Sequence, residues 1–171
     1  SLTRSFGADE VIDAEGRIAL PGLIDCMVST VHHLGRGLGD GCDYPVFRLD
    51  RSLVYEAALD PEDALWAARA CQLEMIRSGT TSFVDAGCRH PDAVAAAAEE
   101  AGLRAIISRA CYDVYDTVLG EFPVAFSRES LEETIASAEA AINALSAHAS
   151  DGIGAGVALP WLPACSDTLL G

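Results

Sequence analysis

The stretch Leu20-Pro21-Gly22-Leu23-Ile24-Asp25-Cys26-Met27-Val28-Ser29 decides the fold of this chain. Pro21 and Gly22 are residues that redirect a chain at a turn. The short apolar run that follows them, over residues 23–28, is typical of a strand buried in a parallel sheet. We therefore predict a strand here, with Met27 and Ser29 at its carboxyl end.

The residues before this stretch predict a hairpin over residues 10–20. Alternating apolar side chains lie on both sides of Ala14-Glu15-Gly16, where an acidic residue before glycine favours a tight turn.

The residues after this stretch alternate between helix and strand signals. Asp60-Pro61 opens a helix that ends at Gly79, and a strand is predicted over residues 80–85. Two further pairs follow: a helix from His90-Pro91 to Gly102 with a strand over 103–109, and a helix from the capping box Ser130–Glu133 to about Ala147 with a strand over 152–159. This β-α-β-α-β-α-β order predicts a parallel α/β fold, and both a flavodoxin-like open sheet and a (β/α)8 barrel fit it.

The composition limits the functions that the chain can have. Half of the 171 residues are hydrophobic and 22% are charged, which is a globular balance. A net charge of -15 disfavours nucleic acid and anionic membrane as partners. No targeting or membrane-spanning signal is recognised, so we expect a cytoplasmic protein. All 11 basic residues are arginine, which excludes a lysine Schiff base or a carboxylated-lysine metal bridge.

The six cysteines form no C-x-x-C pair, so we expect free thiols in a reducing compartment. Four of them, Cys26, Cys88, Cys111 and Cys165, fall at or just after the ends of successive predicted strands. They either form a thiol site or fill space as small packed residues.

Four segments of the chain together resemble the aminohydrolase and chlorohydrolase (cytosine-deaminase-like) branch of the amidohydrolase superfamily. They run from Val11 to Asp25, from Leu34 to Leu38, from Met75 to Asp85 and from His90 to Ala105, in the order and spacing of that family. The resemblance covers nearly the whole chain. It implies a (β/α)8 barrel whose site lies at the carboxyl ends of the strands. Residues 1–20 would form the edge of a small β-sandwich, and residues 21–171 the first half of the barrel with strands one to four.

The resemblance also implies a metal site, because the family places a His-x-His clamp for zinc or iron at the end of its first strand. Met27 and Ser29 stand at these two positions here. A thioether and a neutral hydroxyl do not replace imidazole for such cations. We therefore predict no metal ligand from this chain and leave the cofactor undefined. His32 and His33 are adjacent and fall beyond the predicted strand, so we do not expect them to act as a displaced clamp.

The remaining candidates lie at the ends of the other strands. Asp85 and Arg109 are predicted catalytic or orienting residues, with an ion pair between them as the alternative. Trp161 replaces the histidine that often ends the family's fourth strand, and it either stacks on a substrate or plugs the pocket. Met27, Ser29, Cys88 and Trp161 are predicted to line the substrate pocket.

The resemblance implies a hydrolase that acts on C–N bonds of a small cyclic substrate, for example by deamination. We expect it to be competent only together with the other half of the barrel, supplied by a longer chain or an oligomeric partner. The alternative is a catalytically degenerate subunit that retains only the fold.

Overall fold

The computed structural model describes residues 9–148 and 152–171. Its centre is a parallel sheet with the strand order β1-β2-β3-β6, where β1 is Leu23–Val28, β2 Thr80–Asp85, β3 Arg104–Ala110 and β6 Ile153–Ala158. Two further strands, β4 (Asp116–Thr117) and β5 (Gly120–Glu121), form a small antiparallel hairpin. The parallel α/β architecture predicted from the sequence is confirmed.

The three long helices begin and end at the predicted residues. They are α3 (Pro61–Ser78), α4 (Pro91–Ala101) and α5 (Leu131–Ser146). The side chain of Asp60 accepts the N–H of Asp63, and Ser130 and Glu133 form the reciprocal capping box. Gly79 and Gly102 have left-handed backbones, with φ of 87° and 68°, which end α3 and α4 without the strain that a Cβ would add.

Short helical segments between β1 and α3 were not predicted. A 3-10 helix spans Thr30–Gly35, followed by α1 (Tyr44–Phe47), a π-helical turn (Arg48–Ser52) and α2 (Leu53–Ala58). A second 3-10 helix (Leu162–Ala164) and α6 (Asp167–Leu170) follow β6.

The predicted hairpin over residues 10–20 is observed only as a turn. The N–H of Arg17 bonds to the carbonyl of Ala14 at 2.9 Å, but no strand is assigned between residues 9 and 22. Ile12 and Ile18 are both 81% exposed, so these alternating side chains have no apolar surface to pack on and do not stabilise a ladder. Residues 1–8 of the predicted sandwich segment lie outside the described residues.

The core is divided into two clusters. The first lies between one face of the sheet and helices α3 and α4, and includes Phe83, Val94 and Ile107. The second lies beyond the carboxyl ends of the strands and is largely aromatic. The opposite face of the sheet is open, because Ile24 and Ile106 remain 67% and 50% exposed there.

Candidate functional site

The carboxyl ends of the four parallel strands lie along one edge of the sheet, as parallel pairing requires. The predicted site residues all fall at or just beyond these ends: Met27, Ser29, Asp85, Cys88, Arg109 and Trp161. These six residues therefore share one edge of the sheet. The surroundings of each side chain differ from one strand to the next.

A β-bulge shapes the end of β1. Asp25 is opposite Phe83 and Val28 is opposite Asp85, so β1 has one more residue than β2 over this stretch. Asp25 and Val28 both line a groove beside α3, which places the bulge between them. Met27 is 76% exposed and its N–H bonds to the Asp25 carboxylate at 3.1 Å. The bulge therefore turns Met27 away from the core and towards the open side of the strand end.

Asp85, at the end of β2, is almost fully buried and holds the β1 end in place. Its Oδ2 accepts hydrogen bonds from the N–H and Oγ1 of Thr30, at 3.1 and 2.6 Å, and its Oδ1 accepts one from the N–H of Gly87, at 3.0 Å. Burial raises the pKa of Asp85, and these three donors oppose that shift only in part. In the structure, the carboxylate connects two strand ends.

Arg109, at the end of β3, is 6% exposed and forms an ion pair with Glu129, with 2.8 Å between its Nη2 and Oε1. Arg89 approaches the same oxygen at 3.3 Å, and Ser137 donates to the other carboxylate oxygen at 3.2 Å. Glu129 is therefore the centre of this cluster. The ion pair between Asp85 and Arg109, which the sequence left open, is not formed, because each residue has other partners.

The cysteines at the strand ends are placed as packed residues. Cys88 is 3% exposed within the first core cluster, and burial raises its pKa well above that of an ordinary thiol. Burial also raises the pKa of Cys111 and of Cys165, whose Sγ lies 3.9 Å from the Cys111 carbonyl. Cys26 is exposed on β1. Thiols with raised pKa values are poor nucleophiles, so this placement favours the packing interpretation.

Trp161 follows β6 and is 5% exposed in the aromatic second cluster. Its ring centroid lies 5.7 Å from that of Phe122, which in turn packs edge-to-face against Phe126 and Tyr112. In the structure, this tryptophan fills space at the end of the strand. Of the two interpretations from the sequence, its position is the one expected of a plug.

A buried polar network near the strand ends was missed by sequence reasoning. Arg48 donates to Glu56, Ser52 and the hydroxyl of Tyr112 at 2.9, 2.7 and 2.6 Å. His32 Nε2 lies 2.9 Å from Glu56 Oε1, although the two are poorly aligned for a hydrogen bond. Burial alone would raise the pKa of Glu56, but contacts with His32 and Arg48 outweigh it and lower the pKa. Arg48, Ser52 and Glu56 are spaced at i, i+4 and i+8, a spacing that places side chains on one face of a helix. This spacing could have predicted the network from the sequence.

The structure brings no three histidine, cysteine, aspartate or glutamate side chains into a metal-binding group anywhere in residues 9–148 and 152–171. At the strand end that the family resemblance marks for metal, the side chains are the Met27 thioether and the Ser29 hydroxyl, which do not fit zinc or iron. Among the helices of the described residues, none is long and apolar enough to span a membrane.

Comparison with known proteins identifies the family to which this chain belongs. The profile of the amidohydrolase family matches residues 18–170, so the chain belongs to the amidohydrolase family. It is 37% identical over 118 residues to a 5-methylthioadenosine/S-adenosylhomocysteine deaminase of Desulforamulus reducens, covering 68% of this chain and 27% of that protein. It is 40% identical over 110 residues to a 5'-deoxyadenosine deaminase of Methanothermobacter thermautotrophicus, covering 64% of this chain and 26% of that protein. The chain thus spans about a quarter of these curated relatives.

Solved structures support the barrel fold. The chain resembles guanine deaminase from C. acetobutylicum with a TM-score of 0.73 at 19% identity, covering 88% of this chain and 35% of that one. It resembles atrazine chlorohydrolase TrzN from Arthrobacter aurescens TC1 with a TM-score of 0.68 at 19% identity, covering 88% and 36%. The four strands therefore form part of a (β/α)8 barrel of the amidohydrolase type, as the family resemblance implied, and not a flavodoxin-like sheet.

Proposed function

We propose that this chain forms the first half of the barrel of a hydrolytic deaminase whose substrate is a small cyclic compound with an exocyclic amino group. The observation that carries the proposal is the single edge at which four parallel strands end, in a chain of the amidohydrolase family. The names of the curated relatives favour adenosine derivatives as the substrate class.

The proposal requires further strands. Among the described residues, β1 pairs only with β2 and β6 only with β3, so each keeps one free edge, and the inner face between them is open. We propose that further βα units, from a longer chain or from a partner subunit, pair with these edges and complete the pocket. Size-exclusion chromatography with light scattering tests this point on the 171-residue chain. A stable monomer that melts cooperatively would contradict it.

The activity is tested on the protein at its natural length. Ammonia release and the ultraviolet absorbance change are followed with 5'-methylthioadenosine, S-adenosylhomocysteine and 5'-deoxyadenosine as candidate substrates. Turnover of at least one of them supports the proposal. Absence of turnover with all three, in a folded protein, would count against an adenosine-type substrate, and a panel of other cyclic amines would then decide whether any deamination occurs.

A second candidate is a catalytically degenerate subunit that keeps the barrel and binds without turnover. The observation that favours it is the combination of Met27 and Ser29 at the β1 end with the buried Trp161 at the β6 end. Under this alternative, the same compounds raise the melting temperature without releasing ammonia. A compound that is turned over would exclude it.

A further inference from the structure

The end of β1 carries two uncharged side chains, Met27 and Ser29, whereas the ends of β2 and β3 carry Asp85 and Arg109. Met27 is largely exposed on the open side of the strand and Ser29 is half-buried beside it. The bulge lies between Asp25 and Val28, so Met27 lies within it. Met27 and Ser29 flank Val28, which packs against the core, and we therefore place both of them on the side of the chain opposite to Val28. Their backbone positions thus suit two convergent ligands, while their side chains do not.

No histidine of the chain compensates for this loss. His32 contacts Glu56 at 2.9 Å, and His33 lies 3.2 Å from an Arg36 guanidinium nitrogen. His90 contacts the carbonyl of Leu59 at 3.1 Å, and His148 contacts Glu99 at 3.1 Å. His33, His90 and His148 therefore have polar partners, and His32 lies against Glu56 without a well-aligned hydrogen bond.

The nearby carboxylates are also engaged. Asp25 lines the groove beside α3 and accepts the N–H of Met27, whereas Asp85 accepts three hydrogen bonds from Thr30 and Gly87. Glu56 is enclosed between Arg48 and His32. A cation at the β1 end would have to displace these partners to obtain a charged oxygen ligand.

We infer that the Met27–Ser29 end of β1 holds no metal ion and that any metal in the assembled barrel is bound without these two residues. The inference rests on the proposed barrel placement but not on turnover. The strand end carries the uncharged thioether of Met27 and hydroxyl of Ser29. These two side chains would contact an uncharged, apolar part of a substrate.

The test compares metal binding by the natural-length protein and three double variants. M27L/S29A removes the thioether and the hydroxyl while keeping similar volumes. M27H/S29H installs two imidazoles at the same positions. V118H/V124H places two histidines on side chains that are 94% and 96% exposed near the β4–β5 hairpin, and so measures adventitious binding. Metal per chain is measured by mass spectrometry after gel filtration, and zinc affinity by competition with a chelating dye.

We expect M27L/S29A to match the wild type within twofold in metal content and zinc affinity. M27H/S29H should bind zinc at least tenfold more tightly than the wild type, and more tightly than V118H/V124H. A tenfold loss of affinity in M27L/S29A would overturn the inference. Failure of M27H/S29H to exceed V118H/V124H would overturn the placement of the two positions on one face. Circular dichroism melts confirm that each variant is folded, and ammonia release, measured separately, tests the proposed function.

Discussion

Thr30 donates both its backbone N–H and its hydroxyl to a single carboxylate oxygen of Asp85, 55 residues away in the sequence. Thr30 follows β1 and Asp85 ends β2, so this pair fixes the relative position of two strand ends at the edge where the barrel's site is expected. Both residues are almost fully buried, which makes their hydrogen bonds costly to lose.

Removal of this carboxylate should destabilise the chain. Asp85→Ala leaves the two Thr30 donors and the Gly87 N–H unpaired, which costs about 2–4 kcal/mol of unfolding free energy. Thr30→Val removes only the hydroxyl and should cost about 1–2 kcal/mol. Urea denaturation measures both changes, with the exposed Asp116→Asn as the control. A double variant with the sum of the two single losses would show that the residues act independently.

Glu56 should make the stability dependent on acid. Its pKa is lowered from the ordinary 4.5, so its contribution is complete above that value and is lost as the pH falls through the lower folded-state pKa. Glu56→Gln should therefore be clearly less stable than the wild type at pH 7, and the difference should shrink below pH 4.5. Urea denaturation at several pH values measures this difference. The exposed Glu139→Gln should show no such trend; an equal trend there would assign the effect to net charge.

Arg109 and Glu129 offer a test of the predicted catalytic role. If Arg109 acts only through the ion pair, Arg109→Gln should lower the unfolding free energy by about 1–3 kcal/mol, with strong coupling in the double variant. Glu129→Gln should cost at least as much, because Glu129 also binds Arg89 and Ser137. If Arg109 also contacts substrate, Arg109→Gln should lower kcat/KM by at least tenfold more than Glu129→Gln does. Denaturant melts and steady-state kinetics on the same preparations separate the two outcomes.

The thiols should react in the order of their exposure. Cys26 is exposed and should react fastest with a disulfide reagent at pH 8. Cys71 is buried and its pKa is raised to about 11, so it should be protected in the native state, as should Cys88. Peptide mass spectrometry after timed alkylation identifies each site. Rapid labelling of Cys88 in the native state, together with loss of turnover, would instead support the hypothesis of a thiol site at the strand ends.

The burial of Trp161 can be measured by fluorescence. Trp161 is 5% exposed and Trp66 is 56% exposed, so acrylamide should quench Trp66 far more strongly. Trp66→Phe leaves Trp161 as the only tryptophan and should give a blue-shifted, poorly quenched emission. Trp161→Ala should cost about 3–5 kcal/mol, because it leaves a cavity beside Phe122. Strong quenching of Trp161 would instead indicate an open pocket suited to stacking on a substrate.

The regular elements could be predicted because their signals are local. Asp60 and Gly79 mark the two ends of α3, and four of the six residues 80–85 that follow are β-branched or aromatic, so neighbouring residues decide these boundaries. The same local rule failed over residues 10–20. Apolar side chains alternate along these residues, but a strand also needs an apolar surface to pack on. The presence of such a surface cannot be inferred from the local sequence.

The contacts within the site could not be predicted because they join distant residues. Arg109 meets Glu129 20 residues later, and Arg48 meets Tyr112 64 residues later. The sequence predicted Arg109 at a strand end and left its role open between catalysis and an ion pair, and it gave no indication of Glu129 as the partner. The sequence pattern predicts which edge of the sheet a residue lies at. The side chains that contact this residue depend on the path of the connecting loops, which the pattern does not predict.

The extra residue in β1 separates a side chain that packs on the core from one that is exposed. Val28 packs against the first core cluster, whereas Met27, the residue before it, is 76% exposed. Substitution of Met27 should therefore change the exposed surface of this strand end with little effect on the packing of Val28. Under the proposed barrel placement, the chemistry of this strand end can therefore be altered by substitution while the strand that carries these residues remains intact.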